Sequence, residues 1–343
     1  MMCMISGNDI YKNEIKAQIK EIISHGGLIV FPTETVYGIG ADATNKEAVK
    51  RIFVAKGRPS DNPLIVHVAD KEDVKKYVTH IPFYAEKLMS YFWPGPLTIV
   101  FHKNDTIPYE VSGGLDTVGI RMPSSVIAQE IIKAAGVPLC APSANISGKP
   151  SSTLFEHVKD DFLGKVDLLV DGGQVEIGLE STVIDLTTPI PVLLRPGAIT
   201  KTMIEKVLDI GIIDATEHEI SDIPKSPGMK YTHYAPKGHV HLLEGDKEKV
   251  IAYINRKAHT FDLMKVGVMA PTEYLKEIDA FYKIDLGSIN QTDEIGRNLF
   301  LALRQMDALN LTEIFIPALP AKDFGQAIMN RLIKAAGHQV IHL

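Results

Sequence analysis

Cysteine is scarce in this chain, long apolar runs are missing and positive charge is not in excess. Each shortage removes a class of protein. Only two of the 343 residues, Cys3 and Cys140, are cysteines. Neither a disulfide framework nor a cysteine-based zinc site can rest on that pair, which fits a reducing compartment. No apolar stretch approaches the ~18 residues of a membrane-crossing helix, so no membrane partner is expected. The opening run at 1–5, MMCMI, is too short for a signal-peptide core and leads into polar residues, so a cytoplasmic location is expected. A formal net charge of -6 argues against a surface coated in phosphate contacts, while leaving room for a local basic cleft. With 45% apolar and 23% charged residues the composition is that of an ordinary globular protein. The length suits roughly two domains, each able to bury a core.

What is present falls into two blocks. Ile15, Ile19, Ile22 and Ile23 form a helical face that stops at Gly26-Gly27. Strands are expected at 28–31, 64–68, 97–101, 118–122, 138–142, 167–171, 182–186 and 192–195, and helices near 71–91, 124–135 and 200–209. Short connections such as that between 182–186 and 192–195 allow antiparallel pairing, so a mixed sheet is expected. From Gly238 the rhythm changes. HVHLL, VGVMA, YKIDL, EIFIPAL and QVIHL read as strands separated by helices near 246–257, 291–309 and 323–336. That alternation predicts a smaller, parallel, Rossmann-like α/β domain. The expected division is a mixed α/β domain over 1–213, a linker over 214–237 and the parallel domain over 238–343.

The familiar nucleotide and hydrolase motifs fail. A Walker loop needs glycine at 143 and Ser or Thr at 150, where Ser143 and Pro150 stand. GIGADA (38–43) imitates a dinucleotide fingerprint but lies too far beyond its strand, and its acidic partner would fall in a cationic loop. His233, His239 and His241 lack the carboxylates or cysteines of a metal centre, so no metal ligand is assigned. No G-x-S-x-G elbow is present.

The most informative stretch is KGRPSDNPLIVHV (56–68). Thr44 and Glu47 predict a capping box for the helix before it, and Gly57 a left-handed stop. Pro59 and Pro63 hold Arg58 and Asn62 extended. Stiff cations beside a strand end suit a polyanion such as a triphosphate. Other polar, glycine- and proline-flanked stretches also close predicted strands: PTETVYG (32–38), TVGIRMP (117–123), APSANISGKPSS (141–152), GLESTVID (178–185) and LLRPG (193–197). Singly each reads as a turn. Together they supply Lys56, Arg58, Arg121 and Arg195 as cations, His67, and the hydroxyls of Thr35, Thr117, Ser143, Ser151 and Ser181. That inventory suits an anionic ligand beside a small polar one, as in phosphoryl chemistry driven by positioning and charge.

These stretches with PGPLT (94–98), in this order, resemble the YrdC family of threonylcarbamoyl-AMP synthases. The run SPGMKYTHYAP (226–236) resembles the linker of its two-domain members, with Thr232 standing where relatives commonly have arginine. The resemblance implies a YrdC-like twisted mixed sheet joined to a C-terminal accessory domain. It implies that L-threonine, bicarbonate and ATP yield L-threonylcarbamoyl-AMP and pyrophosphate. The product then serves a transferase modifying adenosine 37 of tRNAs that read codons beginning with A. By the same resemblance Lys56, Arg58, Asn62, Thr117, Ser143, Ser151, Arg195 and Tyr231 fall on the ATP side, Lys56 and Arg58 bearing the catalytic charge. Thr35, His67, Arg121, the backbone of Ala141, and Ser181 fall on the threonine side. His67 either hydrogen-bonds the amino acid or helps deprotonate its amine. Mg²⁺ is expected with ATP, held by phosphate oxygens and water rather than by a dedicated protein ligand. Two other readings compete: a double-stranded RNA-binding module, since the basic loops allow a weak tRNA contact, and a carbamoyl-adenylate-forming domain of the hydrogenase-maturation type. The second would come with zinc-finger and acylphosphatase-like modules, which this sequence lacks.

Overall fold

The computed structural model describes residues 3–216 and 234–343, which divide into two compact units. The first holds an eleven-stranded sheet: β1 (Cys3–Ser6), β2 (Ile29–Pro32), β3 (Tyr37–Asp42), β4 (Ile65–His67), β5 (Leu97–His102), β6 (Thr117–Arg121), β7 (Leu139–Cys140), β8 (Leu168–Asp171), β9 (Thr182–Asp185), β10 (Val192–Arg195) and β11 (Ile213–Asp214). Their order is β1-β8-β2-β3-β7-β4-β6-β5-β9-β10-β11. Parallel pairs such as β4 with β6 and β5 with β9 sit among antiparallel ones such as β5 with β6 and β9 with β10. The sheet is mixed, as the short connections predict.

Strand periodicity decides the layers. In β2, Ile29 and Phe31 enter one buried cluster with Ile19, Ile23, Ile131 and Ile132, while Val30 between them enters another with Val49, Ile52 and Leu88. Successive side chains point to opposite faces, so these clusters lie on the two sides of the sheet. Helices Asn13–Ser24 and Val126–Ala135 cover one face; Lys46–Lys56 and Phe83–Phe92 cover the other.

Two local expectations need correcting, and strands also form where none is expected. The helix Lys46–Lys56 is capped by Asn45, whose Oδ1 accepts from the backbone N–H groups of Glu47 and Ala48 at 3.1 and 3.2 Å. Thr44 is not the cap, because its hydroxyl donates to Asp42 Oδ1 instead, at 2.8 Å. The stretch 71–91 is not one helix but a 3₁₀ turn, Lys71–Lys76, and a helix, Phe83–Phe92, parted at Pro82. Proline fits only the first turn of a helix, so it starts the second element. GIGADA is mostly strand, within β3. A Cβ on Gly40 would stand 2.7 Å from the Phe31 ring, so the glycine makes room for an aromatic on the paired strand. Residues 3–6 form an edge strand on β8, beyond the reach of periodicity in so short a run.

The second unit carries β12 (His239–Glu244), β13 (Val266–Ala270), β14 (Tyr282–Asp285), β15 (Glu313–Pro317) and β16 (Val340–His342) in the order β14-β13-β15-β12-β16. Every pairing is parallel. Helices Lys247–Ala258, Thr292–Ala308 and Phe324–Ala335 supply the crossovers, which matches the βαβ reading. Most of the expected linker lies outside the described residues.

Candidate active site

β4, β6, β5, β9 and β10 are consecutive in the sheet, and the motif residues collect at one end of them. His67 closes β4 and pairs in register with Arg121, which closes β6. β5 runs antiparallel to β6 and begins at Leu97, opposite Thr182 of β9, so Thr98 and Ser181 lie at the same end. Arg195 closes β10 beside Val183 near the start of β9. Neighbouring strands are about 4.8 Å apart, so residues as distant in sequence as Leu97 and Thr182 become close neighbours.

Arg121 is 3% exposed, and each of its three guanidinium nitrogens faces a partner. Nε donates to the Gly95 carbonyl at 3.3 Å and Nη1 to Thr35 Oγ1 at 2.9 Å. Nη2 lies 2.6 Å from Glu34 Oε1, an ion pair not aligned as a hydrogen bond. Thr35 is buried and shares a 2.8 Å contact with Thr33 Oγ1. His67 is buried beside this group, with Nδ1 3.2 Å from the Ile65 carbonyl. Burial first, and then the Arg121 charge, pull its pKa down to about 3 against the opposing pull of Glu34 and nearby carbonyls. Burial pushes the Glu34 carboxyl up, but the charge and hydrogen bonding of Arg121 outweigh it and hold the carboxyl below its ordinary value. Ala141 is buried and its N–H donates to the Ile65 carbonyl at 2.9 Å.

Ser181 Oγ is 2.8 Å from Thr98 Oγ1 and accepts from Arg195 Nη2 at 3.1 Å, while Arg195 Nε donates to the Ser181 carbonyl at 2.9 Å. Arg195, expected with ATP, and Ser181, expected with threonine, therefore touch directly. Gly197 makes this join possible. A Cβ there would sit 2.5 Å from the Thr182 nitrogen, so RPG and ESTV pack backbone to backbone.

On the expected ATP side, Lys56 is 2% exposed at the end of its helix, followed by Gly57 at φ 61° as predicted. Its ammonium donates to the carbonyls of Ser143 and, at 2.7 Å, Asn145. The lysine thus ties the 143–147 loop to the cationic loop. Ser143 in turn donates to Asn145 Oδ1 at 2.6 Å. Arg58 is half-buried. Asn62 is fully buried, with neither amide atom hydrogen-bonded among the described residues. A desolvated amide in that condition is costly, the mark of a group waiting for a ligand or water. Thr117 opens β6, four residues or about 13 Å from Arg121, so it does not join the strand-end group. Ser151 is buried but belongs to a short stretch, 148–151, that clusters with the second unit. Tyr231, Thr232 and His233 lie outside the described residues.

Sequence reasoning passes over Glu34, Thr98 and Asn145. Glu34 leaves one signal: a lone acid in a motif feeding an anionic site needs a cation to hold it. The roles of Thr98 and Asn145 depend on strand order and loop packing, which no local pattern carries.

Two family models match the chain. One, described as telomere recombination and covering Sua5, YciO and YrdC proteins, matches residues 21–197. The other, the threonylcarbamoyl-AMP synthase C-terminal domain, matches residues 199–337. The chain is 48% identical to the threonylcarbamoyl-AMP synthase of Pyrococcus abyssi, with 93% of each chain covered. It is 44% identical to that of Bacillus subtilis, covering 95% of this chain and 94% of the relative. The crystal structure of P. abyssi Sua5 complexed with L-threonine superposes with a TM-score of 0.91 at 43% identity, over 100% of this chain and 99% of the other.

Proposed function

This chain belongs to the Sua5/YciO/YrdC family and is a threonylcarbamoyl-AMP synthase, and we propose that it joins L-threonine, bicarbonate and ATP with release of pyrophosphate. The observation that carries this reading is the buried polar group at the ends of β4, β6, β5, β9 and β10, in a part of the chain matched along its length to a relative crystallised with L-threonine. The threonine nitrogen adds to the bicarbonate carbon, water leaves, and a carbamate results. A carbamate oxygen then attacks the α-phosphorus, and the bond to pyrophosphate breaks. Negative charge accumulates on the leaving group, and Lys56, Arg58 and Arg195 are the cations to receive it. Asn62, Thr117, Ser143, Ser151 and Tyr231 are proposed to complete the nucleotide side. Thr35, His67, Arg121, the backbone of Ala141, and Ser181 hold the amino acid.

Of the two roles open to His67, its burial favours hydrogen bonding. A buried imidazole drawn down to about 3 is neutral near pH 7 and a weak proton acceptor. Mg²⁺ fits as a companion of ATP. The side chains assigned to the nucleotide include no carboxylate, so phosphate oxygens would supply the charged ligands, with water completing the shell. Among the described residues no helix is long and apolar enough to cross a membrane. A cytoplasmic location is proposed on the scarcity of cysteine, two in 343 residues. Its product is proposed to pass to the transferase that modifies adenosine 37, with tRNA contact no more than weak. The test is incubation of the full chain with ATP, threonine and ¹³C-bicarbonate. A threonylcarbamoyl adenylate carrying the label supports the reading, and an adenylate without it overturns the assignment of bicarbonate.

A further inference from the structure

The buried carboxylate of Glu34 has no part in the chemistry above, yet it sits against Arg121 at 2.6 Å with both side chains at most 4% exposed. Two charges are seldom taken out of water without a use, since such pairs give little net stability. Proton bookkeeping along the neighbouring groups shows one. Thr33 Oγ1 donates its hydrogen to the Val36 carbonyl at 2.6 Å, so it can only accept in its 2.8 Å contact with Thr35. Thr35 is therefore the donor there. At the same time Thr35 Oγ1 accepts from Arg121 Nη1. The Thr35 hydroxyl hydrogen and one lone pair are thus committed, and the lone pair left over can only meet a donor. Glu34 decides this polarity, because its charge and the Gly95 carbonyl fix the guanidinium plane from which Nη1 reaches Thr35. Backbone contact steadies the carboxylate in turn, with the Ser125 N–H 3.5 Å from Oε2.

We propose that Glu34 is a positioning residue for the amino-acid substrate: through Arg121 it holds Thr35 as a hydrogen-bond acceptor aimed at an N–H or O–H donor of L-threonine. This rests on the placement of Thr35 and Arg121 on the threonine side. The arrangement does not offer threonine's carboxylate a contact at Thr35, where acceptor would meet acceptor. Removing the Glu34 charge does not switch His67 on as a base, because Glu34 is one of the groups pulling that imidazole upward.

The experiment is steady-state pyrophosphate release by the full chain, wild type against Glu34→Gln and Thr35→Val. Glu34→Gln keeps the shape and drops the charge; Thr35→Val removes the acceptor and leaves the ion pair intact. Both are expected to raise KM for L-threonine by about 10-fold or more, the loss of one oriented hydrogen bond near a charge, with KM for ATP within twofold. L-2-Aminobutyrate, which lacks the hydroxyl, separates the two donors. Selectivity for threonine over it collapses in both variants if Thr35 reads the hydroxyl, and is kept while both substrates weaken equally if it reads the amine. An unchanged KM for threonine in Thr35→Val overturns the proposal even where Glu34→Gln misfolds, and so does equal damage to ATP and threonine in Glu34→Gln. Wild-type enzyme whose pyrophosphate release ignores threonine would instead remove the functional reading itself, before any variant is compared.

Discussion

Lys56→Met separates a loop clamp from a phosphate ligand. Methionine keeps most of the lysine stem but removes the ammonium, which in the resting protein donates to the carbonyls of Ser143 and Asn145 from a site 2% exposed. A hydrogen bond to a charged group contributes about 1.5–3 kcal/mol, so two such bonds set an upper range of roughly 3–6 kcal/mol. Water reaching the freed carbonyls returns part of that, and about 2–4 kcal/mol is the expected loss. For a unit of this size that lowers the melting temperature by about 5–15 °C. Ser143 and Asn145 then lose their fixed places, and the site loses a cation that should face the triphosphate. Efficiency with ATP is expected to fall by about 100-fold or more, the sum of positioning and charge. Scanning calorimetry and pyrophosphate release on one preparation measure both. A variant that melts like wild type refutes the clamp, whatever its activity. A variant that melts early but turns over normally refutes the catalytic role.

Two further outcomes follow from the site. Arg58→Ala, which removes a half-buried guanidinium, should lower ATP-dependent efficiency about 10–150-fold with threonine binding measured without nucleotide little changed; equal damage to both would mean the two sides are misassigned. His67 has a folded pKa of about 3, below the ordinary 6.5, so between those values the unfolded chain binds more protons and stability falls as pH falls. His67→Asn should flatten that acid limb in melting-temperature scans from pH 7 to pH 4, and a limb identical to wild type would show that His67 is not the group responsible.

The order of strands is where sequence reading stops. Ile29, Val30 and Phe31 announce a buried strand by composition, and the βαβ rhythm after Gly238 announces a parallel sheet, because both signals are local. The strand hidden in GIGADA was not legible, since its glycine is required by a ring on a partner strand rather than by a turn. The same limit applies to the site. Lys56 was legible as a cation at a helix end, and Arg121, His67 and Ser181 as a cation, a histidine and a hydroxyl at strand ends. That Lys56 donates to two carbonyls depends on β7 lying beside β4, that Arg195 touches Ser181 depends on β10 pairing with β9, and that Glu34 holds Arg121 depends on the turn between β2 and β3 reaching the end of β6. Cap identity failed for a smaller reason. Thr44 and Asn45 are both good caps, and the choice was made by Asp42 drawing the threonine hydroxyl to itself.

The central claim is that adenylate formation requires an amino acid and a one-carbon acceptor together. It is tested most directly by measuring pyrophosphate release from ATP by the full chain in carbonate-free buffer, with L-threonine and bicarbonate supplied together and each omitted in turn. The account predicts release at full rate only when both are present, and a fall to background when either is withheld. Release that continues undiminished without threonine and without bicarbonate would contradict it.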